Sequence, residues 1–359
     1  MEQNRPRLIA LVFAGGNALG AYQAGAFAAF DRAGRTPYWL TGSSVGAVNA
    51  AIVAGNKPED RVSALREYWR RACLPNGPWD VPIPGWSRSL HLASSVQTRL
   101  LGRPAIFSPR LSVLPGSAQN PGRASLYDFT PLRRTLGELI DFERLNGSDI
   151  RLSIMTVDIE TGEEVVFDTS RERILLDHVL ASAGLIPDFP AREIGGRWLG
   201  DVALSANSPV GIVLSESQDG LMCFVIDSFP RKAPRPTSWF EASERQTDLI
   251  FANQTQKTLE AHLRFDQLGR AVREAIMALP RELRSRKELI ILAGVLKQTG
   301  VDVICMEYRA EPDELGMKWF DFSASAIGRR WLAGEAGMKD ALESLSNLQP
   351  GQGLRIHRR

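Results

Sequence analysis

The sequence predicts an α/β fold, a central, largely parallel sheet between layers of helices, with a C-terminal α+β addition packed on it. Three observations carry this reading. Residues 8–13 (LIALVF) form an unbroken apolar run that ends in glycines, the pattern of a strand covered on both faces. A second short strand (38–41, YWLT) leads straight into an Ala-rich apolar segment (45–54, VGAVNAAIVA), so two βα units stand in tandem, and such units pair their strands in parallel. Hydrophobic residues make up 44% and charged residues 23% of the 359, the composition of a globular core domain with additions.

The remaining elements follow in order. After the first strand, residues 21–33 read as a helix that the glycines open. Between 74 and 131 Pro and Gly recur, with Trp79, Trp86, Leu90, Leu92, Leu100 and Leu101 scattered among them, which predicts an irregular, lid-like insertion. Residues 132–145 have amphipathic helical spacing. Alternation over 151–158 and 163–168 about Thr161-Gly162 predicts a hairpin. A helix over 173–183 is broken by the loop 186–190 (IPDFP), and a second hairpin over 193–199 carries Asp201 at its exit. Beyond a buried strand at 221–227 come a long helix from 241 to about 279, a strand at 301–308 and a closing helix at 324–345. The domain division expected is a catalytic domain over 1–230 and an extension over 231–359.

A formal net charge of +2 supplies no field toward nucleic acid. Basic runs at 231–235, 281–287 and 355–359 could face anionic lipid headgroups. Cys73, Cys223 and Cys305 are too few and too far apart for a disulfide framework or a zinc site, which fits a reducing, cytoplasmic compartment. No run reaches the roughly 18 apolar residues that span a bilayer, so membrane contact would be peripheral, on the inner face. Neither a metal nor a cofactor is expected.

Chemistry concentrates at two turns. Gly42-Ser43-Ser44-Val45-Gly46 is a G-x-S-x-G between a strand and a helix, the setting in which a serine becomes an exposed nucleophile. Gly15-Gly16-Asn17-Ala18-Leu19-Gly20, between the first strand and first helix, points backbone amides at an anion or oxyanion. Its spacing is wrong for a dinucleotide fingerprint and it lacks the Gly-Lys-Ser/Thr ending of a phosphate loop, which leaves an oxyanion hole. None of His91, His178, His262 and His357 has a motif-like setting for a Ser-His-Asp triad, although a triad using His178 or His262 is the reading to test against. Gly200-Asp201-Val202-Ala203 offers a carboxylate instead, and an aspartate at a turn is by itself usually a turn former.

The order of these motifs resembles the patatin-like phospholipases, over roughly the first 210 residues. That likeness implies a three-layer core, an oxyanion hole at Gly15, Gly16 and Asn17, and a dyad of Ser44 and Asp201 that hydrolyses fatty-acyl esters. From 248 to about 345 the chain resembles the C-terminal extension of a bacterial subgroup of that family. Asn17 and Val202 stand where the family commonly has glycine. A β-branched residue at a positive φ would be strained, which sets the alternative of a lipid-binding protein that has weakened or lost the chemistry.

Overall fold

The computed structural model describes residues 7–73, 87–110, 120–216, 220–296, 300–311, 314, 317–345 and 353–358. In chain order the elements are β1 (Ile9–Phe13), α1 (Gly20–Arg32), β2 (Trp39–Gly42), α2 (Val45–Ala54), α3 (Arg61–Ala72), α4 (Ser87–Leu101), β3 (Ser108–Pro109), β4 (Tyr127–Asp128), α5 (Thr130–Leu139), α6 (Phe142–Gly147), β5 (Arg151–Asp158) and β6 (Glu164–Asp168). There follow α7 (Leu176–Ser182), β7 (Arg192–Ile194), β8 (Arg197–Asp201), α8 (Val210–Ser215), β9 (Leu221–Asp227), α9 (Trp239–Ala278), α10 (Arg281–Arg284), α11 (Lys287–Val295), β10 (Val301–Glu307), α12 (Ala324–Leu345) and β11 (Leu354–Arg358).

One nine-stranded sheet runs β11-β10-β9-β1-β2-β5-β8-β7, with β6 beside β5. Neighbouring strands from β11 to β5 are all parallel, and only β6, β7 and β8 enter antiparallel. Both central strands are buried along their whole length, as the apolar runs require. The register aligns Phe13 of β1 with Gly42 of β2 and Ile226 of β9. Three carboxyl-terminal strand ends therefore lie level, the place where parallel sheets bind ligands. The strands β10 and β11, both beyond residue 230, extend this same sheet.

Helix α1 crosses α12 at backbone contact. A Cβ placed on Gly334 would lie 1.9 Å from the Tyr22 carbonyl oxygen, so no other residue fits without moving a helix.

Several elements depart from the sequence expectation. The insertion at 74–131 is not irregular throughout: it holds α4 and the β3–β4 pair, while Trp79 and Trp86 lie outside the described residues. In α4 the buried positions among the described side chains are His91, Ser94, Ser95 and Thr98, and Leu100 and Leu101 are exposed, so its amphipathicity is inverted there and escapes a search for apolar periodicity. The helix expected at 132–145 is two, because Asp141 turns out of α5 and caps α6, accepting from the amides of Glu143 and Arg144. Only Leu176–Ser182 of 173–183 is helical. The basic tail is strand β11, and Arg355 and His357 are drawn to the buried Asp302 of β10 rather than left facing solvent. Helices α3, α8, α10 and α11 were not foreseen.

Candidate active site

Ser44 sits between β2 and α2 at φ 55° and ψ −130°, a conformation that costs a non-glycine residue about 1–3 kcal/mol. The surroundings hold it there. A Cβ on Gly46 would come within 2.1 Å of the Phe13 carbonyl oxygen, so α2 can close onto β1 only with glycine at that position. The Ser44 amide donates to Ser182 Oγ (3.1 Å), which donates in turn to the Met155 carbonyl (2.7 Å). The Asn207 carbonyl accepts from both Ser43 Oγ (2.5 Å) and the Gly15 amide (2.9 Å), tying elbow and glycine turn together.

The glycine turn enters a 3-10 turn over Asn17–Leu19 and then α1. Asn17 has φ 50°, a left-handed value that asparagine tolerates better than most residues. Among the described residues the amides of Gly16 and Asn17 make no hydrogen bond, and both residues line the cleft that holds Ser44. Behind the turn lies a buried polar chain. Trp69 Nε1 donates to Asn49 Oδ1 (3.1 Å), Asn49 Nδ2 to Gln23 Oε1 (3.1 Å), and Gln23 Nε2 to the Ala14 carbonyl (2.5 Å) and to Ser228 Oγ (3.2 Å).

Asp201 is the last residue of β8, opposite Thr156 of β5, and is fully buried. Its Oδ1 accepts from the Ala203 amide (2.9 Å), whereas Oδ2 has no partner at normal hydrogen-bond geometry. Burial pushes its pKa up to about 7, with the Ser44 hydroxyl and the Ala203 amide pulling the other way. Ser44 and Asp201 thus face each other without a fully formed hydrogen bond. Val202 is not among the residues with positive φ; it begins a short 3-10 turn and packs beside Met155 and Val157. No backbone strain arises there from its β-branched side chain.

The cleft above these groups is apolar and narrow. Val48, Tyr68, Phe107, Phe129, Phe189 and Trp319 are among its walls, and its empty space, mouth included, is about 590 Å³. No described histidine lines it. His178 stacks on Phe167 and accepts the Leu175 amide, His91 pairs with Asp321, His357 pairs with Asp302, and His262 lies beside Gly211. The triad expectation therefore has no histidine in place, whereas the elbow, the glycine turn and Asp201 do meet.

Residues 11–214 match the family model described as patatin-like phospholipase, which is more than half of the chain. The chain belongs to the patatin-like phospholipase family. A second family model, described as patatin phospholipase, matches residues 249–352 of this patatin-like chain. No curated protein sequence matches it. Among solved structures it is similar to VipD from Legionella pneumophila (12% identity, TM-score 0.41, covering 94% of this chain and 67% of that one). It is also similar to ExoU of Pseudomonas aeruginosa, solved in complex with SpcU (16% identity, TM-score 0.31, 96% and 80%). Among the described residues no helix is long and apolar enough to cross a membrane.

Sequence reasoning missed the supports. Ser182 gave no signal, since a serine late in a helix is ordinary. Gln23 and Asn49 did: each is a fully buried polar residue inside an otherwise apolar, Ala-rich helix, a placement that demands hydrogen-bond partners.

Proposed function

We propose that this patatin-like protein is a serine lipid acyl hydrolase that cleaves fatty-acyl esters with Ser44 as nucleophile and Asp201 as its base. The observation that carries the reading is the buried Asp201 carboxylate, with an unpartnered oxygen, facing a serine held in a strained elbow at the floor of an aromatic cleft. Asp201 takes the Ser44 proton as Oγ attacks the acyl carbonyl. The amides around Gly16 and Asn17, with Gly15 holding the turn to Asn207, receive the oxyanion; the leaving alcohol takes the proton from Asp201, and water then releases the fatty acid. The N-terminus of α2 behind Ser44 favours the same developing negative charge. The aromatic walls take the acyl chain, and the protein works in the cytoplasm, in peripheral contact with the membrane that supplies its lipid.

Purified wild type should label with a fluorophosphonate probe and hydrolyse medium-chain nitrophenyl esters, with Ser44→Ala unlabelled. Both Ser44→Ala and Asp201→Asn should lose at least about a thousandfold in kcat, as activated-nucleophile sites do. Activity should rise with pH through about 7, where Asp201 loses its proton. Unchanged hydrolysis by Asp201→Asn removes the dyad. Absent labelling of the wild type with retained lipid binding makes the chain an inactive lipid binder instead.

A further inference from the structure

Helix α9 begins as a wall of the active site and ends far from it. Phe251 lines the cleft, and Gln254 clasps the site by donating to the Ala203 carbonyl (3.1 Å) and accepting the Asn207 amide (2.7 Å). At 1.5 Å per residue the helix then runs on for about 35 Å to Ala278, where α10 and α11 fold back along it. The seam of this arm is apolar and small: Leu296 packs over Gly269, and Ile276 is buried.

Its exposed surface sets large apolar side chains among charged ones. At 100° per residue, Ile290 and Ile291 fall on the face of α11 turned away from Leu296, and they are 58% and 55% exposed. Phe265, Leu268 and Met277 of α9 are 57%, 59% and 67% exposed. A surface helix normally turns its polar stripe outward, and this many large apolar side chains exposed on one arm mark a surface that lacks its partner. Over residues 281–288 stand Arg281, Arg284, Arg286 and Lys287 against only Glu282 and Glu288, while Asp266 of α9 is paired with Arg270, and none of the four cations has an ion pair among the described residues.

We propose that this end of the arm, α10 and α11 with the facing part of α9, docks the protein on an anionic lipid surface. The basic residues meet the headgroups, and the isoleucines with Phe265 and Leu268 enter the boundary with the acyl chains. A second copy of the chain fits less well, because a two-fold contact through this face sets the same four cations against themselves. Since the arm is one helix with the Phe251 wall, docking holds the cleft in a fixed relation to the lipid.

The test is flotation of the full chain with vesicles of phosphatidylcholine, alone or mixed with phosphatidylglycerol. This readout needs no catalysis, so its failure is distinct from failure of the Ser44–Asp201 assignment. Wild type should float with the mixed vesicles and less with the neutral ones. Ile290→Asp with Ile291→Asp should lower binding at least about tenfold. Arg281→Glu with Arg286→Glu, a second variant with an unaltered apolar face, should abolish the preference for anionic vesicles. Both variants should keep wild-type rates on a water-soluble nitrophenyl ester. Equal flotation of wild type and variants overturns the proposal, as does a dimer that the isoleucine pair converts to monomer while vesicle binding stays unchanged.

Discussion

Helices α1 and α2, which carry the glycine turn and the elbow, differ from the segments after residue 230 in what holds them. The former are packed from alanine, glycine and aromatic residues, with Gln23 and Asn49 the polar residues fully buried within them. The latter bury ions. Lys318 lies between Asp248 (2.6 Å) and Glu244 (3.5 Å), and Asp321 holds His91 (2.6 Å). Arg330, wholly buried, pairs with Glu314 (3.1 Å) and donates to the carbonyls of Lys318, Asp321 and Ala18. Dense apolar packing fixes the site to fractions of an ångström and tolerates little change of volume. Buried ions fix a single docking arrangement, and each depends on its partner remaining in place.

The contrast can be broken at its strongest point first. Gly334→Leu forces a side chain against the Tyr22 carbonyl and the Ala26 amide nitrogen, 1.9 and 2.8 Å from the new Cβ, and both are backbone. The expected cost exceeds about 4 kcal/mol, read as loss of folded protein in urea denaturation; a variant that melts like wild type means the two helices can slide apart. Arg330→Met tests the ionic side. It leaves Glu314 buried with the Tyr308 hydroxyl and the more distant Arg329 (3.6 Å) as partners, and about 3–5 kcal/mol should be lost in the same titration. A loss under about 1 kcal/mol would make the guanidinium dispensable.

The third effect has the opposite sign and lies in the site. Asp201 has a folded pKa of about 7, above an unfolded value near 3.9, so the native state binds its proton more tightly. Stability from this group is therefore full below about pH 4, falls as pH rises, and is gone above about pH 7. Asp201→Asn should match wild type at pH 4 and exceed it at pH 8 by up to about 4 kcal/mol, at roughly 1.4 kcal/mol per unit. Thermal melts at the two pH values decide this, and a variant less stable at pH 8 refutes the burial cost.

What the sequence disclosed tracks the same division. Strands β1, β5 and β9 and helix α12 were legible because burial on both faces, alternation or helical period is written in residue type alone, and 151–158, 221–227 and 324–345 match the observed bounds. Ser44 was legible because its glycines record a close approach between β1 and α2. Asp201 stood out in the sequence only as the carboxylate left when no histidine had a motif-like setting, and through the resemblance; its unpartnered oxygen is a property of residues distant in sequence. Helix α4 was hidden because its inward side chains are polar and find partners, such as Asp321, some 230 positions away. The walls of the cleft, Phe107, Phe189 and Trp319, come from separate segments that no local pattern links.

Arg330 touches the Ala18 carbonyl across 312 residues, which has a consequence for biogenesis. The elbow is complete in the chain by Ala54, but the Trp319 wall and the Arg330 clasp behind the glycine turn are translated about 270 residues later. At ordinary elongation rates that separates them by roughly 15 to 50 seconds. Throughout that interval the nascent chain carries the elbow without a finished cleft around it, so the strained Ser44 turn forms well before the walls that enclose it.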